Sequence, residues 1–386
     1  MVQHPASAIP FEELYAALLE EVKQQNVTRI RGVGEQEGLE IFDYTQSCQF
    51  DKKWNKYNLL ARGLLLCPAE KRVVGHTFQK FFNYGEHASD LPDLPFRATF
   101  KMDGSLGIVY HWKGKWYVNT RGSFTSPQAQ WATKYIQQYT EKLVPGTTYL
   151  AEIIYPENRI VVQYDFSGMV LLGAYAADGL ELEYEDLQVV GKQTGLRVVE
   201  SFPCTNLEQL LALVKVFDEN QEGVVIRYPN GHRIKVKGDK YTSLHRMIAE
   251  IRPLCIWEQL LLMKEEDLSK IPDEFAKEYR KIRAILVAKE AAQHVELVQL
   301  AEQYKDLSDK EVGMKFVEIK KVSPMGKFLF DYRKGKFETD FTRIDLTKQE
   351  PVTILRRSFY DMFRPTANRL PGYTPSSSMN AFEAEG

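Results

Sequence analysis

From about residue 27 to residue 240 the chain keeps returning to short apolar or alternating runs, each closed by Gly, Pro or Asn. The runs at 58–66, 116–120, 148–154, 159–164, 170–174, 223–228 and 232–237 read as strands on this pattern. Two stretches, 127–142 and 206–218, carry helical spacing instead. Phe11, Leu14, Tyr15, Leu18, Leu19 and Val22 predict an N-terminal amphipathic helix. Together these elements impose an α+β domain of antiparallel sheets with flanking helices, over residues 1–245. Near residue 245 the pattern changes. Residues 244–263 and 272–304 read as helices, and in the second Phe275, Tyr279, Ile282, Leu286 and Lys289 mark one side. A mainly helical C-terminal domain, 246–386, is expected, with a loose Ser- and Pro-containing tail from about 372. No internal repeat is present.

Charge and cysteine usage exclude several classes. The 386 residues carry a net charge of only −2, so a polyanion must be met by a local patch. One stretch qualifies: Arg227, Arg233, Lys235, Lys237, Lys240 and Arg246 stand against the single acid Asp239. Cys48, Cys67, Cys204 and Cys255 are scattered and form no C-x-x-C pair. That argues against a disulfide scaffold and a structural zinc site, and for a reducing compartment. No apolar run approaches the ~20 residues that span a bilayer, and the N-terminus lacks a signal-peptide pattern. A cytoplasmic protein with no membrane partner is expected.

The chemistry concentrates around Lys101-Met102-Asp103-Gly104-Ser105-Leu106, a turn between two strand-like runs. A lysine beside a glycine that lets a ligand approach the backbone is well placed to attack an electrophile. Free lysine, with a pKa of about 10.4, is protonated at neutral pH. Neighbouring positive charge or a metal is therefore expected to suppress its charge. Supporting residues lie downstream. Glu222 precedes Gly223 and an apolar strand. Lys235 and Lys237 are two apart in a strand and so face one side. Glu152 is an acid inside an apolar strand, costly to bury unless partnered. Arg62 precedes Gly63 and Leu64-Leu65-Leu66. Taken singly, each has a plain structural reading: a solvated lysine at a hairpin, a strand-entry acid, an exposed Lys face, a Glu152–Arg159 ion pair.

The ordered set resembles the covalent nucleotidyltransferase superfamily of DNA ligases, RNA ligases and mRNA capping enzymes. Lys101 to Gly104 is similar to its K-x-D-G motif, Glu152 to the motif III acid, Glu222-Gly223 to motif IV, and Lys235-Val236-Lys237 to motif V. Lys80-Phe81-Phe82-Asn83, Lys101 to Leu106 and Asn158-Arg159-Ile160-Val161 look like the phage RNA ligase 1 type, a likeness that covers roughly residues 55–245. Arg121-Gly122-Ser123 stands where that family has a cation before Gly-Ser, with arginine in place of lysine, which changes the phosphate geometry.

The resemblance implies an ATP-dependent RNA ligase of three steps: Lys101 takes AMP from ATP, AMP moves to an RNA 5′-phosphate, and a 3′-hydroxyl displaces AMP. It implies catalytic roles for Lys101, Lys237 and Glu222, with Glu222 also a ligand for Mg2+ (or Mn2+). Arg62, Lys80, Phe82, Asp103, Gly104, Arg121, Glu152, Gly223, Lys235 and Tyr241 are implied nucleotide contacts. Tyr175 is the candidate to stack on adenine. RNA repair by a monomer is the implied role, with tRNA as one candidate substrate. The alternatives are a DNA ligase, a capping-type enzyme, or a non-catalytic binder of nucleic-acid ends. The first two usually pass from motif V into a β-rich OB domain, whereas this chain turns helical after Lys240-Tyr241.

Overall fold

The computed structural model of the protein describes residues 1–86, 91–366, 369–376 and 379. The chain divides into two compact units, Met1–Ser243 and a second from Leu244 onward. In the first unit β1 (Val27–Arg31), β2 (Glu40–Tyr44), β3 (Arg62–Cys67) and β4 (Arg72–Gly75) form one antiparallel sheet in that order. The chain continues through β5 (Phe82–Asn83), β6 (Arg97–Phe100), β7 (Ser105–Trp112), β8 (Lys115–Asn119), β9 (Thr148–Ile154) and β10 (Gly168–Tyr175). It closes with β11 (Arg197–Val198), β12 (Ser201–Phe202), β13 (Gly223–Arg227) and β14 (Arg233–Lys237). A second sheet has the order β11-β10-β9-β7-β8 and a third β12-β6-β13-β14-β5. The expectation of purely antiparallel sheets is corrected: β10 with β11, and β14 with β5, pair in parallel.

Each sheet buries one face under a helix. Leu14 and Leu18 of the helix Phe11–Lys23 pack on Phe42, Leu64 and Leu66. Ala129, Ala132 and Ile136 of Pro127–Ile136 cover the second sheet. Leu210 and Val214 of Leu207–Lys215 cover the third through Ile226 and Ile234. Because strand residues alternate, burying Ile234 and Val236 on this side turns Arg233, Lys235 and Lys237 to the other.

Residues 159–164 are not a strand. The Val161 and Val162 amides donate to the Asp103 carboxylate rather than to a ladder, and Arg159 Nε donates to Val161 O. The run predicted at 58–66 begins as a turn and becomes strand only at Arg62. The helix Tyr184–Thr194 escaped the pattern reading altogether.

In the second unit the described elements are helical. The predicted helix 244–263 is two, Asp239–Ala249 and Pro253–Leu261, with Pro253 able to start a helix but not continue one. The 31-residue helix Asp273–Gln303 buries Phe275, Tyr279, Ile282 and Leu286, as its spacing predicted. Arg356, 4% exposed, crosslinks the unit by donating to Leu260 O at 2.7 Å and Leu261 O at 2.6 Å. The tail is anchored where it is described: Tyr373 Oη donates to Glu278, Lys281 Nζ to Thr374 O, and Met379 is buried. Residues 377–378 and 380–386 of that expected loose tail lie outside the described residues. Among the described residues no helix is long and apolar enough to cross a membrane, and all four cysteines are free thiols.

Candidate active site

Lys101 stands one residue beyond β6, and its amide donates to Gly223 O at 2.8 Å, which ties it to the start of β13. Gly223 has φ +150°, and a Cβ there would lie 2.0 Å from Val236 O. Only glycine fits, and the tight crossing of β13 and β14 drives Glu222 under both lysines. Glu222 is 3% exposed; its Oε2 accepts from Lys101 Nζ at 2.6 Å, and its Oε1 pairs with Lys237 Nζ at 2.9 Å. On β9, Glu152 Oε1 accepts from the Gly104 amide at 3.0 Å, where a Cβ would meet Ile153 O at 2.5 Å.

This geometry reverses one expectation. Neighbouring cations do not suppress the Lys101 charge. Burial opposes that charge, but Glu222 and then Glu152 outweigh it and hold the amine well above its usual range. Burial likewise works against the charge of Glu222, yet Lys101 and Lys237 pull its carboxyl below the usual value. The suppressed cation is Lys235. Burial, then Lys101, Lys237, Lys80 and Arg62, push it down to about 7. Among the described residues it has no ion pair.

A cavity opens between the second and third sheets, lined by Lys101, Thr99 and Val225 on one wall and by Glu152, Leu172 and Phe78 on the other. Arg62 reaches it from β3; its Nη1 is buried without a hydrogen-bond partner, and its guanidinium lies 5.4 Å from the Phe81 ring centre. Lys80 is 9% exposed. Its ammonium lies 5.1 Å from the Tyr44 ring, 5.4 Å from Trp54 and 5.3 Å from Phe82, and donates to Gln49 Oε1 at 3.2 Å. The Arg121 guanidinium also lies against Tyr44, 4.8 Å from the ring centre. It donates to Tyr44 Oη at 2.9 Å and to Asp43 Oδ2 at 3.2 Å.

Three expected nucleotide contacts have other work here. Asp103 Oδ2 accepts from the Val161 and Val162 amides at 2.8 and 2.7 Å, and Oδ1 accepts from Tyr241 Oη at 2.6 Å. Its carboxylate therefore braces the Lys101 turn. Burial and Glu222 raise it to about 6 despite those donors. Tyr241, 1% exposed, is the other end of that brace. Tyr175, 4% exposed, does not line the cavity but sits behind Phe78, against His4 and His76. The basic stretch 227–246 also divides. Arg227 pairs with Glu181 at 2.9 Å and Glu183 at 3.0 Å, and Arg233 pairs with Glu181, while Lys235 and Lys237 face the Lys101 side. Sequence reasoning passed over Tyr44, Gln49 and Trp54 entirely. The interleaving of Lys and aromatic residues in 50–57 was the available signal.

Among the described residues no three His, Cys, Asp or Glu gather as a metal cage. Glu222 is shared by Lys101 and Lys237, with Glu152 and Asp103 close to Lys101, and Lys235 beside them has no ion pair among the described residues. That donor set fits a divalent ion which arrives on phosphate oxygens and keeps several waters.

Residues 60–241 match the family model described as RNA ligase. An RNA ligase of Rhodothermus phage RM378 is 24% identical over 61% of this chain and 70% of its own length. A protein of Autographa californica nuclear polyhedrosis virus, provisionally named a bifunctional polynucleotide kinase/RNA ligase, is 23% identical over 53% of this chain. The chain spans only 33% of that relative. Among solved structures, an archaeal ATP-dependent RNA ligase aligns over 98% of this chain and 99% of its own, at 13% identity and a TM-score of 0.47.

Proposed function

We propose that the chain is an ATP-dependent RNA ligase that works through AMP carried on Lys101, a reading supported by the match of residues 60–241 to the RNA ligase family model. The observation that supports it most is the Lys101–Glu222–Lys237 bridge at the edge of the cavity, with Arg62 Nη1 buried there without a hydrogen-bond partner and Lys235 nearby without an ion pair among the described residues.

In the first step Lys101 Nζ, having lost a proton, attacks the α-phosphorus of ATP. The P–N bond forms as the bond to pyrophosphate breaks. Arg62, Lys80 and Lys235 meet the charge that builds on the departing phosphates, in a site already shaped for it. Mg2+ or Mn2+, held by Glu222 with phosphate oxygens, would neutralise phosphate charge and displace the ion pair that keeps Lys101 protonated. Lys237 remains beside Glu222 and the α-phosphate. Glu152, which also holds the Gly104 amide, is assigned to the AMP ribose. An RNA 5′-phosphate then takes AMP from Lys101, and a 3′-hydroxyl displaces AMP to close the strand. The helical second unit is assigned to choice of RNA, with broken tRNA as one candidate substrate.

Incubation with α-labelled ATP and Mg2+ tests the core claim. The protein should acquire covalent AMP, lost by hydroxylamine-type cleavage of the P–N bond, and Lys101→Ala should acquire none. Labelling that survives Lys101→Ala, or its absence from the unmodified protein, refutes the reading.

A further inference from the structure

We propose that the turn following the helix Gln46–Phe50 is the landing site for the RNA strand that carries the 5′-phosphate, with Phe50 and Trp54 stacking its leading bases and Lys52 contacting its backbone. The inference rests on the ligase reading above and adds to it the substrate strand and the residues that hold it.

In-line displacement dictates where that strand must enter. In the first step pyrophosphate leaves the α-phosphorus from the side opposite Lys101. In the second step Lys101 is itself the leaving group. An oxygen of the RNA 5′-phosphate forms the new P–O bond, and the P–N electron pair returns to Nζ, which takes up a proton. The incoming phosphate must therefore approach from the side that pyrophosphate vacated. The cations without ion pairs among the described residues mark that side: Lys235, whose strand partner is Asn83 of β5, Lys80, whose ammonium lies over Phe82 of the same strand, and Arg62, against Phe81.

Moving outward from Lys80, the next group is aromatic. Trp54 lies 5.4 Å from the Lys80 ammonium and sits edge-on to Phe82 at 5.5 Å and to Tyr44 at 5.1 Å. Its own segment, Phe50-Asp51-Lys52-Lys53-Trp54-Asn55-Lys56-Tyr57, interleaves aromatic rings with lysines. Phe50 is 85% exposed. Lys53 pairs with Asp51 at 2.7 Å, whereas Lys52 is exposed and has no ion pair among the described residues. A single exposed phenylalanine needs no explanation. An exposed ring, a partly exposed indole and an unpaired lysine on one turn that adjoins a line of unpaired cations are what a single strand requires: rings for bases and cations for phosphates.

The test separates the two readings. Phe50→Ala and Lys52→Glu are made singly, and each protein is first charged with labelled ATP. Both should form lysyl-AMP as the parent does, which also shows that they fold. The purified adenylated proteins are then given a 5′-phosphorylated single-stranded RNA over a range of concentrations. Half-saturating RNA should rise about 10-fold for Phe50→Ala, the equivalent of one stacked base. It should rise for Lys52→Glu in a salt-dependent way, with the maximal transfer rate kept in both. Normal lysyl-AMP with unchanged RNA dependence in both variants overturns this inference alone. Absence of lysyl-AMP in the parent overturns the ligase reading and this one with it.

Discussion

Lys235→Met should make the protein more stable and less able to bind phosphates. Lys235 is pushed from 10.5 to about 7, first by burial and then by four neighbouring cations. A base with a depressed folded pKa binds fewer protons when folded, so it destabilises the fold wherever the unfolded chain is protonated. The penalty is full below pH 7 and fades as pH rises toward 10.5. The fall from 10.5 to about 7 corresponds to up to about 5 kcal/mol below pH 7 and about 2 kcal/mol at pH 9. Methionine keeps the length of the side chain and removes the charge. Urea unfolding followed by tryptophan fluorescence suits the question, because Trp54, Trp112, Trp116 and Trp131 are in the first unit and only Trp257 is in the second. The variant should be the more stable at pH 6, with an advantage that shrinks by more than half at pH 9. Pyrophosphate at 100 times its Kd should add about 2.7 kcal/mol to the parent and less to the variant at the same concentration. If the variant is no more stable at pH 6, or its advantage does not shrink at pH 9, Lys235 is not an uncompensated charge and the anion-site argument fails.

Two further outcomes test the scaffold around the site. Gly223→Ala puts a methyl 2.0 Å from Val236 O at φ +150° and should cost at least about 2 kcal/mol while abolishing lysyl-AMP, since Glu222 must move off Lys101; unchanged labelling would refute the tie. His4 and His76 are held neutral, chiefly by burial, at about 4 and about 3, against an ordinary 6.5. Their folded forms bind fewer protons, so stability is complete above about pH 6.5 and falls by about 4 kcal/mol in total by pH 5. His76→Gln should roughly halve that loss in urea titrations, and an unaltered pH profile would show that the pair is not its source.

The residues that carry local chemistry were readable one strand at a time. Lys101, Glu152, Glu222, Lys235 and Lys237 each sit at a strand end or on a strand face, where period-two alternation decides direction, and the ordered spacing brings them together. What escaped depends on pairing between distant segments. Tyr44, Gln49 and Trp54 precede the nucleophile by more than 40 residues and meet Lys80 only because β2 pairs with β3 and the helix Gln46–Phe50 follows β2 directly. The run 159–164 is β-branched enough to pass for a strand, but a carboxylate 58 residues away in sequence takes its amides. Tyr175 was a candidate for the purine only through the family resemblance; Phe78 packs in front of it instead.

The requirement that a nucleophilic lysine be uncharged also suggested the wrong sign for the Lys101 charge in the unliganded protein. A cluster of lysines implies mutual repulsion, and repulsion implies an amine ready to attack. The structure distributes the charge unequally. Glu222, buried at 2% side-chain exposure, satisfies Lys101 and Lys237 together and leaves Lys235 to bear the repulsion. Both Glu222 oxygens are taken by Lys101 and Lys237, so an anion entering beside Lys235 gains the attraction that the protein lacks there. Lys101 is different: its ion pair with Glu222 favours the charged form, and a competitor for Glu222 would release it. A ligand that brings both negative phosphates and a cation meets both requirements at once. The protein should therefore show little Lys101 reactivity toward amine-directed reagents when alone. Reactivity should rise when Mg2+ and a non-hydrolysable ATP analogue with a free α-phosphate approach are added together, and not when either is added singly. Equal labelling of Lys101 under all four conditions would mean that Glu222 does not govern its charge.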